Sequence, residues 1–414
     1  MALLQPHLRP PRTGRRRNGP VKAAARQRFA SHYSASLRFG VYIHVPLCLR
    51  RCAYCDFTSY VVSSRKRKRV AAGLLDELKL HPGARGRTLF IGGGTPNLLG
   101  MGDLGQLVAR ARDRFSLPIG AEVSVESNPG ANAGIGYFEA LLRAGLTRLS
   151  VGFQSFDDEE LKILGRLHRS SDTDIFKNAR RAGLRSISLD LLYGLPGQRP
   201  DTVRRSLETA LSLGVDHVSL YALKLEPSTP LARAVERGEL PSPEPDAAAD
   251  AYYAALDLLE AEGFLQYELS NFARPGHRCR HNEIYWEAGP FIGLGPSAVS
   301  DDGTLRRRET PDLEKWLSDL ESGNPPRGET ERPTAGERRL EMAMLALRTR
   351  EGLSESRFTK RWGMGVQEAF PALAGHLAAG RVEKVRTEVL GEVFWRVARG
   401  HQLVSDAILA DLAG

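Results

Sequence analysis

The sequence predicts an α/β protein built on a partial, TIM-like (β/α)6 barrel that carries a small winged-helix-like tail. Short β-rich runs recur over residues 39–45, 88–91, 122–126, 148–153, 186–192 and 217–223, and helical periodicity appears between them at 74–80, 103–115, 137–144, 202–213 and 247–262. Alternation of this kind builds a parallel sheet with helices outside it. Residues of another character then sit where the runs stop. Cys48 follows the first, Gly92 to Thr95 the second, Glu126 closes the third, Gln154 the fourth, Asp190 interrupts the fifth, and Tyr221 and Ala222 end the sixth. Working residues supplied by the C-terminal ends of several strands are a barrel's arrangement, whereas a Rossmann sheet gathers them near one switch point. Six units in place of eight predict a barrel that is open on one side and able to admit a large substrate.

Four stretches follow from composition. Residues 1–38 hold nine Lys or Arg and no Asp or Glu, lack an apolar h-region and read as a basic, disordered head, with a transit peptide and an inert leader both open readings. Residues 39–270 are the barrel. Residues 271–335 are a Gly-rich, aromatic connector ending in the linker-like GNPPRGETERPTA, and residues 336–414 form the tail, mostly helical with a strand-turn-strand near its end.

The net charge of +9 comes from the head: without those nine cations, 49 basic residues face 49 acidic ones. A neutral body gives no argument for a phosphate-binding surface, so nucleic acid is not expected as a partner, although an iron-sulfur nucleic-acid regulator would be the reading of the head and tail alone. The basic run Arg65 to Arg69 reads as a solvated loop or helix start. No apolar run reaches the roughly 18 residues that span a bilayer.

Three of the four cysteines form Cys48-x3-Cys52-x2-Cys55, and the fourth is the distant Cys279. Zinc sites usually oppose two close pairs, and disulfide scaffolds spread even numbers of cysteines over short chains. Three thiolates on one tight loop suit three corners of an iron-sulfur cube and leave one iron without a local protein ligand. So few thiols, so clustered, also argue for a reducing compartment, with the cytoplasm expected. Cys279 reads as a buried free thiol or a fourth ligand.

Glycines at Gly92 to Gly94, followed by Thr95 and Pro96, let backbone N–H groups approach a ligand or simply make a tight turn. Glu126 in VESNPG could accept from ribose hydroxyls. Asp190, set among Leu189, Leu191 and Leu192, needs a partner if it is ionised, and Arg166 in LGRLH is either a carboxylate clamp or a surface side chain. In CRHNEIYW, Tyr285 and Trp286 offer flat aromatic surface, and His281 is an axial iron ligand or a hydrogen-bonded surface or core histidine.

These stretches resemble the radical S-adenosylmethionine superfamily, whose CxxxCxxC signature reads CLRRCAYC here, and within it the heme chaperone family of oxygen-independent coproporphyrinogen III oxidase-like proteins. The motifs run in family order over residues 41–300: VYIHVPLCLRRCAYCDF, FIGGGTPNLL, VESNPG, SVGFQSFDDEELKILGRLHR, LDLLYGLPGQ, SLYALKLEPSTPL, CRHNEIYW and GLGPSAVS. The resemblance implies a 4Fe-4S cluster on Cys48, Cys52 and Cys55, with S-adenosylmethionine on its open iron. It further implies cofactor contacts from Tyr42, Gly93, Gly94, Thr95, Glu126, Gln154, Arg166, Asp190 and Ala222, and heme on His281. Heme itself, a heme-acceptor protein and a flavodoxin- or ferredoxin-like electron donor are the implied partners.

Two departures set the functional expectation. The true oxidase continues its signature to CxxxCxxCxC, while this chain has Asp56 and Phe57 after Cys55, the pattern of the chaperone branch. Many members of that branch carry His where this chain has Val299. The expectation is a heme chaperone that transfers heme to an acceptor. The alternative is an oxidoreductase, an oxygen-independent coproporphyrinogen III oxidase of porphyrin biosynthesis.

Overall fold

A computed structural model describes residues 38–130, 134–326, 328–387 and 391–413. The head expected at 1–38 lies outside them except for its last residue. Six strands, β1 (Arg38–Val45), β2 (Arg85–Gly93), β3 (Glu122–Ser127), β4 (Arg148–Gln154), β5 (Ser186–Tyr193) and β6 (His217–Ala222), pair parallel in chain order.

Each strand alternates. Phe39, Val41, Ile43, Val123, Val125, Leu149, Val151, Ile187, Leu189, Val218 and Leu220 face the helices and form the main core. The residues between them point to the other face, where they bond one another: Arg148 Nη1 donates to Ser186 Oγ (3.2 Å), Ser150 Oγ lies 3.3 Å from Asp190 Oδ1, and Ser188 Oγ is 2.7 Å from His217 Nδ1. A parallel sheet buried on both faces usually reads as a continuous apolar run. Here the period of two marks a sheet curled around a polar interior.

Helices Ser64–Leu80, Met101–Arg114, Ile135–Ala144 and Pro200–Ser212 cover the outer face. Between β4 and β5 periodicity alone gave no helix, and the chain there forms two short ones, Asp158–Ile163 and Asp174–Arg181. Six- and eight-residue helices are too brief for a periodic signal, although Asp157 caps the first by accepting from Glu159 N and Glu160 N. The basic run lies in the opening turns of Ser64–Leu80, where Lys66 pairs with Glu314 and Arg69 with Glu321.

Residues read as a connector complete the sheet. Phe291–Leu294 pairs parallel with the free edge of β1, and Asn271–Ala273 pairs antiparallel with β6. The result is a linear order of twelve strands running from Glu329–Glu331 to Leu265–Glu268, whose two ends are not paired with each other among the described residues. Helix Arg280–Trp286 enters the polar face at the N-terminal ends of the strands. Glu122 accepts from the N–H groups of Arg280 and His281 (both 3.0 Å), and Gly40 makes room, since a Cβ there would stand 3.0 Å from Ile284 Cδ1.

The C-terminal residues pack around a second core that includes Phe358, Leu373, Trp395 and Leu409. Helix Ala335–Ala346, strand Leu353–Ser354, helices Glu355–Trp362 and Leu373–Ala378, then strands Val382–Arg386 and Val393–Val397 follow in winged-helix order, and the strands form one antiparallel sheet. Arg338 grips Asp301 with both terminal nitrogens (2.6 and 2.9 Å), tying this unit to the extended sheet.

Candidate functional site

The C-terminal ends of β1 to β6 surround a cavity of about 400 Å³. Its walls include all three motif cysteines and all nine residues assigned above to the S-adenosylmethionine site, while His281 is not among them.

The cysteine loop is pinned at its neck and in its middle. Leu47–Cys48 pairs parallel with Tyr60–Val61, Ala53 N donates to Leu164 O (2.9 Å), and Leu231 N donates to Ala53 O (2.9 Å). All three thiols are half-buried and free. Burial raises the Cys48 thiol and pushes Cys55 up to about 11.

The glycine turn lies against this loop. A Cβ on Gly94 would come within 2.4 Å of Leu47 O, and one on Gly93, whose φ is 112°, within 2.4 Å of His44 Nδ1. Both glycines are therefore demanded by the close approach of β2's end to β1's end, and that approach sets Thr95 Oγ1 3.9 Å from Cys48 Sγ.

Glu126 accepts from Gly93 N (2.8 Å), and burial pushes its carboxyl up to about 7 against that bond. Asp190 is raised by burial as well, with the hydroxyls of Ser219 and Ser150 opposing. These are the partners its apolar flanks required. Arg166 is no surface side chain. Its Nη1 lies 3.4 Å from Cys52 Sγ, its Nη2 donates to Asn128 Oδ1 (2.8 Å), and it also bonds the Gly152 carbonyl. Gln154 takes φ 78°, rare for a residue with a Cβ, at a β-bulge between β4 and β5. A bulge re-aims the side chain at a strand end, and such backbone cost concentrates at functional sites.

Among the lining residues that the sequence reading missed, two brace the site. Asn128 joins Arg166 to Thr95, donating from Nδ2 to Thr95 Oγ1 (2.8 Å), and its signal was its place two residues past Glu126 in VESNPG. His44 links Tyr42 OH (2.9 Å) to the Thr58 carbonyl (2.8 Å) and so braces the cysteine loop's exit.

His281 is fully buried beneath the cavity, with Nδ1 2.7 Å from Thr88 Oγ1 and Nε2 3.0 Å from Tyr285 OH. Both ring nitrogens are engaged, as in a core histidine, and binding iron through them requires helix Arg280–Trp286 to move. Cys279 is likewise buried at that end, its Sγ 3.6 Å from Glu122 Oε1, and it does not line the cavity. Val299 is buried and also outside the lining.

The donor set fits an iron-sulfur cube. A cube is held at separate irons by separate thiolates, so it needs thiols spaced around a cavity. Three thiols line this one, and among the described residues no trio of His, Cys, Asp or Glu converges on a single point as for a lone ion. Arg166 beside Cys52 would offset thiolate charge.

Fold and site together define a radical S-adenosylmethionine protein, and the pattern of the Radical SAM superfamily matches residues 42–210. That family implies a 4Fe-4S cluster and S-adenosylmethionine. The heme chaperone HemW of Mycobacterium tuberculosis is 36% identical over 390 residues, covering 91% of this chain and 95% of its own length, and HemW of Bacillus subtilis is 34% identical over 344 residues, covering 81% and 90%. The chain belongs to the HemW family. Among solved structures, the coproporphyrinogen III oxidase HemN of Escherichia coli, described as a radical SAM enzyme, superposes with TM-score 0.79 over 95% of this chain and 93% of its own, at 22% identity. A likeness at that identity speaks for the fold. No helix among the described residues is long and apolar enough to cross a membrane.

Proposed function

We propose that this protein is a heme chaperone, which binds heme and passes it to an acceptor protein from a site built around a 4Fe-4S cluster and S-adenosylmethionine. The observation that carries the reading is Phe57. At the position where the oxidase signature continues with a fourth cysteine, this chain places a partly exposed aromatic ring on the cavity wall. A thiol there offers chemistry, and a phenyl ring offers apolar contact. The similarity to HemW over nine-tenths of the chain supports the same reading.

In this reading Cys48, Cys52 and Cys55 grip the cluster, and the residues on β1 to β6 named above hold S-adenosylmethionine. When bound, the pair supplies one-electron reduction of a sulfonium. The chain's own contribution is placement. The glycine turn brings backbone N–H groups to the cluster loop, Glu126 and Asp190 present acceptors from a buried wall, and Arg166 holds Cys52, Asn128 and the β4 bulge in one frame. A cytoplasmic site and an electron donor of the flavodoxin or ferredoxin class complete the proposal; few, clustered cysteines are the usage of a reducing compartment.

Anaerobic reconstitution tests it. The loaded protein is expected to bind hemin, seen as a Soret band, to transfer it to an apo-hemoprotein, and to leave coproporphyrinogen III unchanged. Oxidation of coproporphyrinogen, or absence of hemin binding, would overturn the reading. Cys52→Ala should lose the cluster's absorbance, and Cys279→Ala should keep it.

A further inference from the structure

We propose that Ser297 is a positioning residue of the cluster site: from the stretch read as a connector it grips Thr58, three residues past Cys55, and fixes the exit of the cysteine loop. The inference rests on the reading of a 4Fe-4S cluster with S-adenosylmethionine and adds a residue to the site that holds them.

Beyond Cys55 the loop runs through exposed Asp56 and Phe57, and Thr58 is then held from two sides. Its carbonyl meets His44 Nε2 (2.8 Å). A carbonyl only accepts, so Nε2 carries the proton and Nδ1 is left to accept from Tyr42 OH (2.9 Å). The Thr58 hydroxyl meets Ser297 Oγ (2.8 Å). The first hold comes from β1, and the second from a residue 239 positions further along the chain.

Ser297 keeps this bond in a conformation that a side chain disfavours. Its φ is 63°, in the left-handed region, and of the four non-glycine residues with positive φ among the described residues, only Gln154 and Ser297 line the cavity. Glycine here would relieve the backbone, so the hydroxyl is what the side chain adds. Backbone cost of this kind gathers where a particular geometry is needed. The turn beneath is stiff. Gly295 N donates to Glu77 Oε2 (2.8 Å), Ala298 N to Gly295 O (3.1 Å) and Ser297 N to Thr310 O (3.1 Å). A Cβ on Gly295, whose φ is 93°, would stand 2.3 Å from His44 O, so the turn is wedged against the end of β1. A hydroxyl on so fixed a turn passes its own position to Thr58.

Strand Arg306–Arg308 backs the turn, with Arg308 opposite Val299. Of residues 271–335, Ser297 and Arg308 are the two that line the cavity. Arg308 meets no carboxylate among the described residues, its Nε buried and unmet, and Ser297 is the one of the two that bonds the cysteine loop. Separate thiolates hold separate irons of a cube, so the place of Cys55 relative to Cys48 and Cys52 matters to the whole cluster. Cys48 is set by its pairing with Val61, and the mid-loop by Ala53. Thr58 sets the remaining end, and through it Ser297 governs how the open iron is presented to S-adenosylmethionine.

The test is Ser297→Gly, which removes the hydroxyl and relieves the backbone in one step, beside Thr58→Val and the double variant. In the anaerobically reconstituted full chain, Ser297→Gly should keep its iron and a melting temperature within about 2 °C, the relieved backbone offsetting the lost bond. S-adenosylmethionine affinity should fall roughly tenfold in calorimetry. The paramagnetic resonance of the reduced cluster, and its displacement on adding S-adenosylmethionine, should change alike in Ser297→Gly and Thr58→Val. The double variant should lose no more than either single one, since both remove the same bond. Affinity within twofold and an unaltered resonance in Ser297→Gly overturn the proposal, as do losses that multiply in the double variant. A melting temperature lowered by more than about 5 °C, with iron lost as well, makes the residue structural and overturns it too. Amide hydrogen exchange over residues 56–59 in the cluster-free chain judges the brace apart from the cofactors: it should quicken in both single variants, and unchanged exchange overturns the brace. Absence of a 4Fe-4S signal, or of its response to S-adenosylmethionine, in the unaltered chain overturns instead the reading on which the inference rests.

Discussion

Gly94→Ala should disable the site with one methyl group. The new Cβ would lie 2.4 Å from Leu47 O and 2.9 Å from both Leu47 C and N, where ordinary contacts begin at 3.4 Å, so the two chain segments must part by about 1 Å. All three obstructing atoms are backbone, one residue before Cys48, and no side chain can swing away. Forced overpacking of this kind costs roughly 1–3 kcal/mol. The displacement also breaks the bond from Gly94 N to Val45 O (2.9 Å) and carries Thr95 away from Cys48. A misplacement of about 1 Å in a positioning residue can cost on the order of 100-fold. The expected outcome is a melting temperature lowered by several degrees, incomplete iron loading on anaerobic reconstitution, and S-adenosylmethionine affinity reduced by roughly 10- to 100-fold in calorimetry. Gly105→Ala is the control. It lies inside helix Met101–Arg114 with nothing within 4 Å of its added Cβ, and should stabilise by about 1 kcal/mol with the site untouched. Full iron content and cofactor affinity within twofold in Gly94→Ala would refute the argument that this turn is set by backbone contact.

Arg166→Lys keeps the charge but cannot bond Cys52, Asn128 and the Gly152 carbonyl at once, so cofactor affinity should fall about tenfold while iron content holds, and equal affinity would remove Arg166 from its positioning role. A pH effect follows from Glu77, buried against Gly295 N and Trp316 Nε1 and pushed up to about 8, first by burial and then by the neighbouring carboxylate of Glu309. A carboxyl raised in the folded state contributes stability that is complete below its unfolded value of about 4.5 and is lost as pH rises through about 8. Melting temperature should therefore decline across that window, and Glu77→Gln should flatten the decline; a profile identical to the unaltered chain would show that the burden lies elsewhere.

The cluster loop and the strand ends were legible because each is local. Spacing alone assembles Cys48, Cys52 and Cys55, and six β-rich runs announce the strand ends that carry Gly93, Gly94, Thr95, Glu126, Gln154, Asp190 and Ala222, whereas Tyr42 and the cofactor role of Arg166 entered only through the family resemblance. What could not be read depends on chain segments far apart in sequence. Residues 271–335 read as a connector because their strands are three or four residues long, yet Phe291–Leu294 finds its partner in β1, some 250 residues earlier. Arg308 belongs to the same class. Nothing in the triplet Arg306, Arg307, Arg308 tells which guanidinium will be left without a carboxylate, since Asp301, Glu331 and Glu341 are assigned to Arg306 only by the folded sheet.

His281 shows how a motif can be legible and its geometry not. A histidine followed by Asn282, Tyr285 and Trp286 reads by itself as a hydrogen-bonded surface or core residue sooner than as a ligand, and only the family resemblance turns it toward iron; Tyr285 stands four residues on, where a helix brings its hydroxyl to the imidazole. Burial pushes His281 down to about 3, so the ring is neutral near pH 7 and nitrogen basicity is no obstacle to iron. The obstacle is the pair of hydrogen bonds to Thr88 and Tyr285, each worth about 0.5–1.5 kcal/mol net, together with the seating of Arg280–Trp286 on Glu122 and Gly40. Tyr285→Phe removes one of those bonds and separates the two accounts. If His281 were the axial ligand, freeing Nε2 would tighten hemin binding by about 2- to 10-fold and alter the Soret maximum. If the iron sits elsewhere, hemin affinity and spectrum should stay as they are while the melting temperature falls, because a buried ring nitrogen loses its partner. Tighter hemin binding in Tyr285→Phe would assign the iron to His281, and unchanged binding would remove it.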